Sequence, residues 1–513
     1  MSAHAVRLRA ISKRFGAVQA NREVSFDIAA GSVHGLVGEN GAGKSTLMAI
    51  LYGYYQADSG SIEVHGQAVQ ISNSQQAIAL GIGMVHQHFM LVDTLTCLEN
   101  IMLGAEGGFF LSPAKAQVRA RLDALMRETG LTVQLDARVA DLPVGELQRL
   151  EILKALYRGA KVLILDEPTA VLTPQETEQL FVTLRRLKEL GTTLILITHK
   201  LKEVMSLCGA VTVMRAGQVV ETRDISAWNE EGLAEAMVGR KVTLGRPEGL
   251  EVRRGEARLE VQGLKLSHAN GVPALRDVSL ALRAGEIVGV AGVSGNGQSE
   301  LLEVLSGLRA PEGGRMTLGG ASFTPEAWLQ PRRARELHLA HVPEDRHAVG
   351  LVMNFPAWES AVLGYHDAPK YRSGPNMKHA AMRAATRQMQ ERFDVRPRDE
   401  NLGSSKFSGG NQQKLILARE IGEQPRVLLV GQPTRGVDIG ANEFIHNQLR
   451  ALRDAGCAVL LVSSELDEIL ALADRVLVMN AGRITGELAI EDCDEKRLGL
   501  LMAAQEQAQG GAA

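Results

Sequence analysis

Gly38-Glu39-Asn40-Gly41-Ala42-Gly43-Lys44-Ser45-Thr46 is the stretch whose reading decides the fold. It satisfies G-x-x-x-x-G-K-[ST] at every specified position. The apolar run Ser32 to Val37 reads as a strand leading into it, and Thr46 to Tyr55 reads as the helix leading out. The composition follows from the chemistry. Gly38, Gly41 and Gly43 let the backbone fold tightly enough for amide N–H groups to converge on phosphate oxygens. The helix N-terminus adds partial positive charge at the same place. Lys44 can reach β- and γ-phosphates, and Ser45 can hold Mg²⁺.

Working outward, Val162-Leu163-Ile164-Leu165 reads as a buried strand that ends in Asp166-Glu167. Two carboxylates at the end of an apolar strand are costly unless they are used. Beside a phosphate loop, one can orient Mg²⁺ and the other can handle the attacking water. Gly83-Met84-Val85-His86-Gln87 is a second apolar strand, with an amide at its end. Thr192 to Ile197 is a third, and His199 lies just past it. Helical spacing runs from Pro113 to Thr129, with Val118, Leu122, Leu125 and Met126 on one face, and again from Leu142 to about Leu156. Thr173-Pro174-Gln175-Glu176 is a capping box opening a helix whose Leu180, Phe181, Leu184 and Leu187 share a face. Val6 to Ile28 alternates loosely and reads as short antiparallel strands. Phe15 lies in that stretch, either as an edge aromatic or as a platform for a base.

The composition excludes several classes. With 513 residues the chain exceeds one core. Its net charge of −3 is not the basic footprint of a nucleic-acid binder. Four scattered cysteines, Cys97, Cys208, Cys457 and Cys493, form no C-x-x-C pair, so neither zinc nor a disulfide framework is expected and a reducing cytosol fits. Met1 to Arg9 has no apolar core of a signal peptide. No apolar run approaches the roughly 18 residues needed to span a bilayer, so no direct membrane insertion is expected.

From Leu259 the chain repeats itself. Gly292-Val293-Ser294-Gly295-Asn296-Gly297-Gln298-Ser299 is the same loop with glutamine where lysine belongs. Phe407-Ser408-Gly409-Gly410-Asn411-Gln412-Gln413-Lys414 matches the stretch at Leu142. Val427 to Thr434 matches Val162 to Thr169, with Gly431 and Gln432 in place of the two acids, and Ser464 stands where His199 would. The offset between the halves is constant along these motifs, which chance does not sustain across a domain. The expected division is a first domain over 1–244, a polar linker over 245–256 and a second domain over 257–513.

With these residues in hand, the chain resembles ATP-binding cassette (ABC) proteins with two nucleotide-binding domains in tandem. The resemblance covers essentially the whole length. It implies an α/β fold of two P-loop ATPase domains, each with a mixed core sheet, an antiparallel β subdomain and a helical subdomain. It assigns Gln87 to the glutamine loop, His199 to the switch histidine, Phe407 to Gln412 to the signature and Asp438 to the D-loop. It favours Phe15 as an adenine platform. It also implies that each ATP lies between the phosphate loop of one domain and the signature of the other. One such site would join Phe15, Gly38, Glu39, Asn40, Gly41, Ala42, Gly43, Lys44, Ser45, Thr46, Gln87, Asp166, Glu167 and His199 to Ser408, Gly409, Gly410, Asn411 and Asp438. In it Glu167, His199 and Gln87 would be catalytic, and Ser45, Gln87 and Asp166 would hold Mg²⁺. The other would join Gln298, Gly431, Gln432 and Ser464 to Pro143, Val144, Gly145, Glu146 and Thr173. The losses fall together in that second site although they come from both halves, so one hydrolytic and one degenerate site are expected.

A fused pair with this asymmetry resembles the ATPase subunit of bacterial importers for simple sugars and nucleosides, and Val85 to Leu91 with Gly292 to Ser299 look closer to the nucleoside branch. That implies two membrane permease subunits, an extracytoplasmic solute-binding protein, no nucleic acid, and a peripheral place on the cytoplasmic face of the membrane. Leu91 to Leu103 would be the surface that docks on a permease helix. A soluble tandem cassette acting on ribosomes or nucleic acid is the alternative. A cassette acting on ribosomes would keep both sites intact and carry a long charged helical linker, and one acting in DNA repair would carry zinc cysteines or a long coiled coil; the sequence has none of these.

Overall fold

The computed structural model describes residues 4–16, 18–86, 89–105, 112–169, 172, 174–242, 245–246, 254–293 and 295–503. The chain divides into two compact units, Met1–Val242 and Thr243–Ala513.

In the first unit a six-stranded sheet runs in the order Gln218–Asp224, Ala210–Arg215, Val33–Val37, Thr193–Ile197, Val162–Asp166, Ile82–Val85. The inner pairings are parallel, and Gln218–Asp224 closes one edge antiparallel. Val33–Val37, Val162–Asp166 and Thr193–Ile197 are buried at every position. A parallel sheet covered on both faces requires continuous apolar runs of this kind, and not alternation. A second sheet is antiparallel, in the order Val18–Ala29, His4–Phe15, Ser59–Val64, Gln67–Val69. The helices Cys97–Met102, Ser112–Thr129 and Val144–Tyr157 make the helical part.

The second unit has the same plan. Its six-stranded sheet reads Leu339–Val342, Val427–Gly431, Ala458–Ser463, Ile287–Ala291, Arg475–Asn480, Arg483–Ala489, and its four-stranded sheet reads Pro273–Arg283, Ala257–Ser267, Gly313–Leu318, Ala321–Phe323. Each functional loop leaves the C-terminal end of a central strand, which is where open α/β sheets bind ligands.

Several boundaries differ from the sequence expectation, for physical reasons. The helix expected over Thr46–Tyr55 spans Lys44–Leu51. It starts earlier because left-handed Gly43 turns the chain directly into it, and it ends earlier because Gly53 has φ 83°. The short strands expected between Val6 and Ile28 are two long ones, His4–Phe15 and Val18–Ala29. Register shifts between Leu8 and Ile11, and again near Lys13, absorb the irregular alternation as bulges. Leu180, Phe181, Leu184 and Leu187 do share a buried face, on the helix Pro174–Glu189. Within the expected linker, Arg246 donates to Asp474 Oδ1 at 2.9 Å, and the Gly255 amide donates to the Ala284 carbonyl at 2.8 Å. The described ends of that segment are therefore tied to the second unit.

Candidate functional site

The phosphate loop links the strand Val33–Val37 to the helix Lys44–Leu51. Two of its glycines are obligatory by space. Gly38 has φ 151°, and a Cβ there would collide with the Met214 carbonyl. Gly43 has φ 97°, and a Cβ there would strike the Ala20 carbonyl. Asn21 of the antiparallel sheet donates to the Gly43 carbonyl at 3.0 Å, which fixes the turn from outside. The Ala42 amide returns to the Glu39 carbonyl at 3.1 Å. Lys44 is buried, and its Nζ donates to the carbonyls of Gly38 at 2.7 Å and Glu39 at 2.9 Å. Those carbonyl oxygens take the donors that phosphate oxygens would take. Asn40 is exposed at the tip, and Thr46 follows Ser45 on the helix.

Asp166 closes its strand beside the loop and accepts a hydrogen bond from Ser45. Burial, with the neighbouring Glu167 charge, pushes the Asp166 carboxyl up to about 6, against the Ser45 bond and the Lys44 charge. Glu167 Oε1 meets His199 Nδ1 at 2.9 Å. Burial alone would raise Glu167, but the His199 bond and charge, with Lys44 and Lys200, outweigh it and hold this carboxyl below its ordinary value. Glu167 also has φ 47°, a rare conformation for a residue with a side chain. The Glu167 amide donates to the Ile197 carbonyl at 2.8 Å, which pins the residue in that conformation. Lys44, Ser45, Asp166, Glu167 and His199 are thus gathered at one end of the sheet.

Gln87, Thr173 and Ser294 lie outside the described residues. Phe15 is 41% exposed at the end of its hairpin, with Tyr55 edge-on at 5.0 Å and Lys13 Nζ 5.5 Å from the ring centroid. Val92, on the segment expected to dock on a permease, and Met90 just before that segment are also exposed.

In the second unit the equivalent positions hold neutral groups in the same frame. Gln432 has φ 47° and its amide donates to the Val462 carbonyl at 2.8 Å. Gln432 Oε1 accepts from Ser464 Oγ at 3.0 Å. The signature of this unit is well formed. Ser408 is the N-cap of Gly409–Gly422, and its Oγ accepts from Asn411 Nδ2 at 2.8 Å. Asp438 caps Ile439–Asp454 by accepting from the Ala441 amide at 2.8 Å. Gly410 packs against Ala441 and Val437, so signature and D-loop are brought together. In the first unit the corresponding helix, Val144–Tyr157, is preceded by Pro143, and neither of the two helices has a side-chain cap hydrogen bond.

Two side chains that no motif pointed to also belong here. Arg346 Nη1 donates to the Arg435 carbonyl at 3.0 Å, and its Nη2 lies 2.8 Å from where a Cβ on Gly409 would stand. A cation therefore lies against the signature turn. Glu344 sits under Gly431 and accepts from Ser299. The only available signal for either was a charged run, Glu344-Asp345-Arg346, just past the strand Leu339–Val342.

This arrangement defines a P-loop nucleotide hydrolase fold, present twice, with Lys44, Ser45, Asp166, Glu167 and His199 gathered in the first copy. The ABC transporter family model matches residues 21–170 and 275–435. The chain is 44% identical over 510 residues, 99% of each chain, to the guanosine import ATP-binding protein NupO of Bacillus subtilis (strain 168). It is 42% identical over 492 residues, 96% of each chain, to the nucleoside import ATP-binding protein NupA of Lactococcus lactis subsp. cremoris (strain MG1363). It is 37% identical over 511 residues, 99% of this chain and 98% of the other, to the ribose import ATP-binding protein RbsA of Chromobacterium violaceum. Among solved structures, the archaeal ribosome recycling factor in complex with a ribosomal stalk protein superposes with a TM-score of 0.65 at 18% identity, over 96% of this chain and 92% of that one; the likeness is one of fold. The chain belongs to the ABC transporter family, and it is an ATP-binding, ATP-hydrolysing subunit of that family. No helix among the described residues is long and apolar enough to cross a membrane.

Proposed function

We propose that this chain drives uptake of nucleosides through a membrane permease, and that the first half supplies the groups that split ATP. The observation that carries the choice of solute is the pair of nucleoside-import relatives, 44% and 42% identical over nearly the full length. Two permease subunits and an extracytoplasmic solute-binding protein complete the machine, with this chain peripheral on the cytoplasmic face. A ribose-import relative at 37% makes simple sugars the second reading.

The chemistry follows from the first unit. Lys44 exchanges the Gly38 and Glu39 carbonyls for β- and γ-phosphate oxygens, and the loop amides take the remaining phosphate charge. Ser45 and Asp166 fit Mg²⁺. Both present oxygen, they already share a hydrogen bond, and the buried Asp166 lacks a neutralising charge strong enough to keep its carboxyl at its ordinary value. Mg²⁺ held there, with Gln87 as a further ligand, would neutralise the phosphates and clamp their oxygens. Glu167, charged at neutral pH, positions the attacking water and accepts its proton as the bond to the leaving ADP oxygen breaks. His199 fixes that carboxylate through the 2.9 Å contact and reaches toward the γ-phosphate. Phe15 stacks on the adenine. Ser408, Gly409, Gly410, Asn411 and Asp438 complete the site when the signature closes over the γ-phosphate. This pairing rests on the family resemblance and on the way the losses sort into one site.

The test is reconstitution of the chain with its permeases and binding protein in vesicles, and measurement of ATPase activity with guanosine, adenosine, ribose or glucose outside. Stimulation by a nucleoside alone supports the reading. Stimulation by ribose or glucose alone replaces it with the sugar reading.

A further inference from the structure

We propose that Arg346 is a positioning residue for ATP hydrolysis. Its guanidinium, carried on a turn that the second half adds, holds the signature turn Ser408-Gly409-Gly410 and the D-loop in one fixed arrangement. The proposal rests on the pairing of this signature with the first phosphate loop, and it adds to that pairing a residue from outside the motifs.

The two halves differ in length between one pair of equivalent elements. Eleven residues lead from Val85, at the end of its strand, to Thr96, the N-cap of the next helix. Fourteen lead from Val342 to the equivalent N-cap, Pro356. The longer connection contains a single π-helical turn, Arg346–Gly350. Asp345 caps that turn by accepting from the amides of His347 at 2.8 Å and Ala348 at 2.9 Å. Single π turns of this kind are rare and concentrate at functional sites.

The added turn lies along one face of the signature helix, Gly409–Gly422. Arg346 Nη2 is 2.8 Å from where a Cβ on Gly409 would stand. His347 Nε2 meets Gln412 Oε1 at 3.0 Å. A Cβ on Gly350 would strike Ile416 Cδ1, and the Gly350 carbonyl accepts from Arg419 Nη1 at 2.8 Å. Gly409, Gln412, Ile416 and Arg419 follow one another at the spacing of a single helical face. In the first half the corresponding segment is anchored further along its helix: the Met90 amide donates to Glu151 Oε1 at 2.8 Å, and the Met90 carbonyl accepts from Lys154 Nζ at 2.8 Å. Among the described residues, contact with the signature turn itself is what the second half adds.

That turn needs an outside hold. Gly409 and Gly410 have no Cβ to restrict their backbone, and Ser408 makes no side-chain cap bond. Donors that stabilise developing charge work through prior alignment. Arg346 spans both elements that would carry such donors. Its Nη2 lies against Gly409, and its Nη1 donates at 3.0 Å to the carbonyl of Arg435, the residue before Gly436 of the D-loop. The planar fork of a guanidinium can make both contacts at once, which an ammonium cannot. Burial and the neighbouring Arg435 charge oppose the charged guanidinium, with Asp345 favouring it. A triphosphate brought to this turn would relieve that opposition.

The experiment measures kcat for ATP in the reconstituted complex for Arg346→Ala, Ser408→Ala and the two combined. Arg346→Ala alone should lower kcat about tenfold or more. In the Ser408→Ala background the same substitution should cost about threefold or less, because the turn that it positions has already lost a donor. A folding defect would instead give the same loss in both backgrounds, and that outcome overturns the proposal. So does full kcat in Arg346→Ala beside a loss in Ser408→Ala. Arg346→Lys keeps the charge without the fork and should recover little; full recovery would show that charge alone matters, and also overturns positioning. Ser408→Ala with full kcat removes the pairing of signature and first loop, and this proposal with it.

Discussion

The two halves hold one strained turn in two chemical versions. Glu167 and Gln432 have the same φ of 47°, and each amide is pinned to the strand alongside at 2.8 Å. Each side chain then meets the residue just past that strand, His199 at 2.9 Å in one case and Ser464 at 3.0 Å in the other. A left-handed residue with a Cβ costs on the order of 1–2 kcal/mol. In the first half that strain aims a carboxylate at a histidine. In the second it aims an amide at a hydroxyl, and no proton can be moved. The strain therefore belongs to the fold, where it lets the chain leave the sheet at a fixed angle, and the chemistry is decided by side chains placed on it. The same holds for the buried threonine–glutamate contacts beneath, Thr169 to Glu203 and Thr434 to Glu468, which are present in both halves. Backbone geometry is common to the two copies, and the charge carried on it is what differs between them.

The largest expected effect breaks this comparison directly. Glu167→Gln removes the proton acceptor, and kcat for ATP in the reconstituted complex should fall by about 10²–10⁴-fold, while ATP still binds the isolated chain. Gln432→Ala should leave kcat within about twofold, since that position moves no proton. Equal losses in the two variants would show that both halves split ATP. The comparison sharpens further with the reverse exchange. Gln432→Glu with Ser464→His rebuilds the dyad in the second half, and kcat should stay at the wild-type level because Gln298 and Gly431 still leave that loop without its lysine and its aspartate. A doubling of kcat would mean that the dyad alone is enough.

A smaller effect tests the signature. Ser408 stands at the N-cap position, without a side-chain cap bond, of a helix whose first turn carries two glycines and lies beside Arg346, whereas Pro143 offers no hydroxyl. Ser408→Ala should lower kcat about 10- to 100-fold, the scale of one lost donor to developing charge. Pro143→Ser should change it by less than about twofold, because the loop that it would face is the one without lysine. A large effect of Pro143→Ser would move the working site to the other pairing.

Much of this asymmetry was legible before any coordinates, because it lies in residue types at fixed distances from strand ends. Lys44, Asp166, Glu167 and His199 each follow a run of buried apolar residues, and the structure gathers them at one end of one sheet. Glu344, which accepts from Ser299 and lies beside Gly431, was not picked out. A contact made from a neighbouring strand is invisible to a column-wise reading, since the positions are far apart in sequence. Arg346 was missed for the same reason: its contacts are with Gly409 and Arg435, and its own motif has no counterpart in the first half. Helix ends were misplaced where single glycines override propensity, as at Gly43 and Gly53.

The smallest expected effects come from Asp166, and they separate binding from stability. Burial and the adjacent Glu167 raise this carboxyl to about 6, above its ordinary 3.8. Between those two values the folded protein holds a proton that the unfolded chain does not. The group therefore favours the folded state fully at pH below 3.8, and this contribution is lost as pH rises through about 6. At neutral pH the charged Asp166 destabilises the nucleotide-free protein. Asp166→Asn should accordingly stabilise the nucleotide-free chain at pH 7.5 by about 1–3 kcal/mol, read as an upward shift in urea midpoint, and the gain should shrink as pH falls through about 6 and approach zero only below 3.8. The same proton competes with Mg²⁺. Mg²⁺-dependent binding of AMP-PNP to the first loop should weaken as pH is lowered through about 6, approaching tenfold per unit below that value. Gly431 carries no acid, so stability at the equivalent place in the second half has no such proton on that residue. Asp166→Asn that destabilised the nucleotide-free chain at pH 7.5 would mean that the Ser45 and Lys44 contacts outweigh burial, and that the aspartate is there as much for the fold as for the metal.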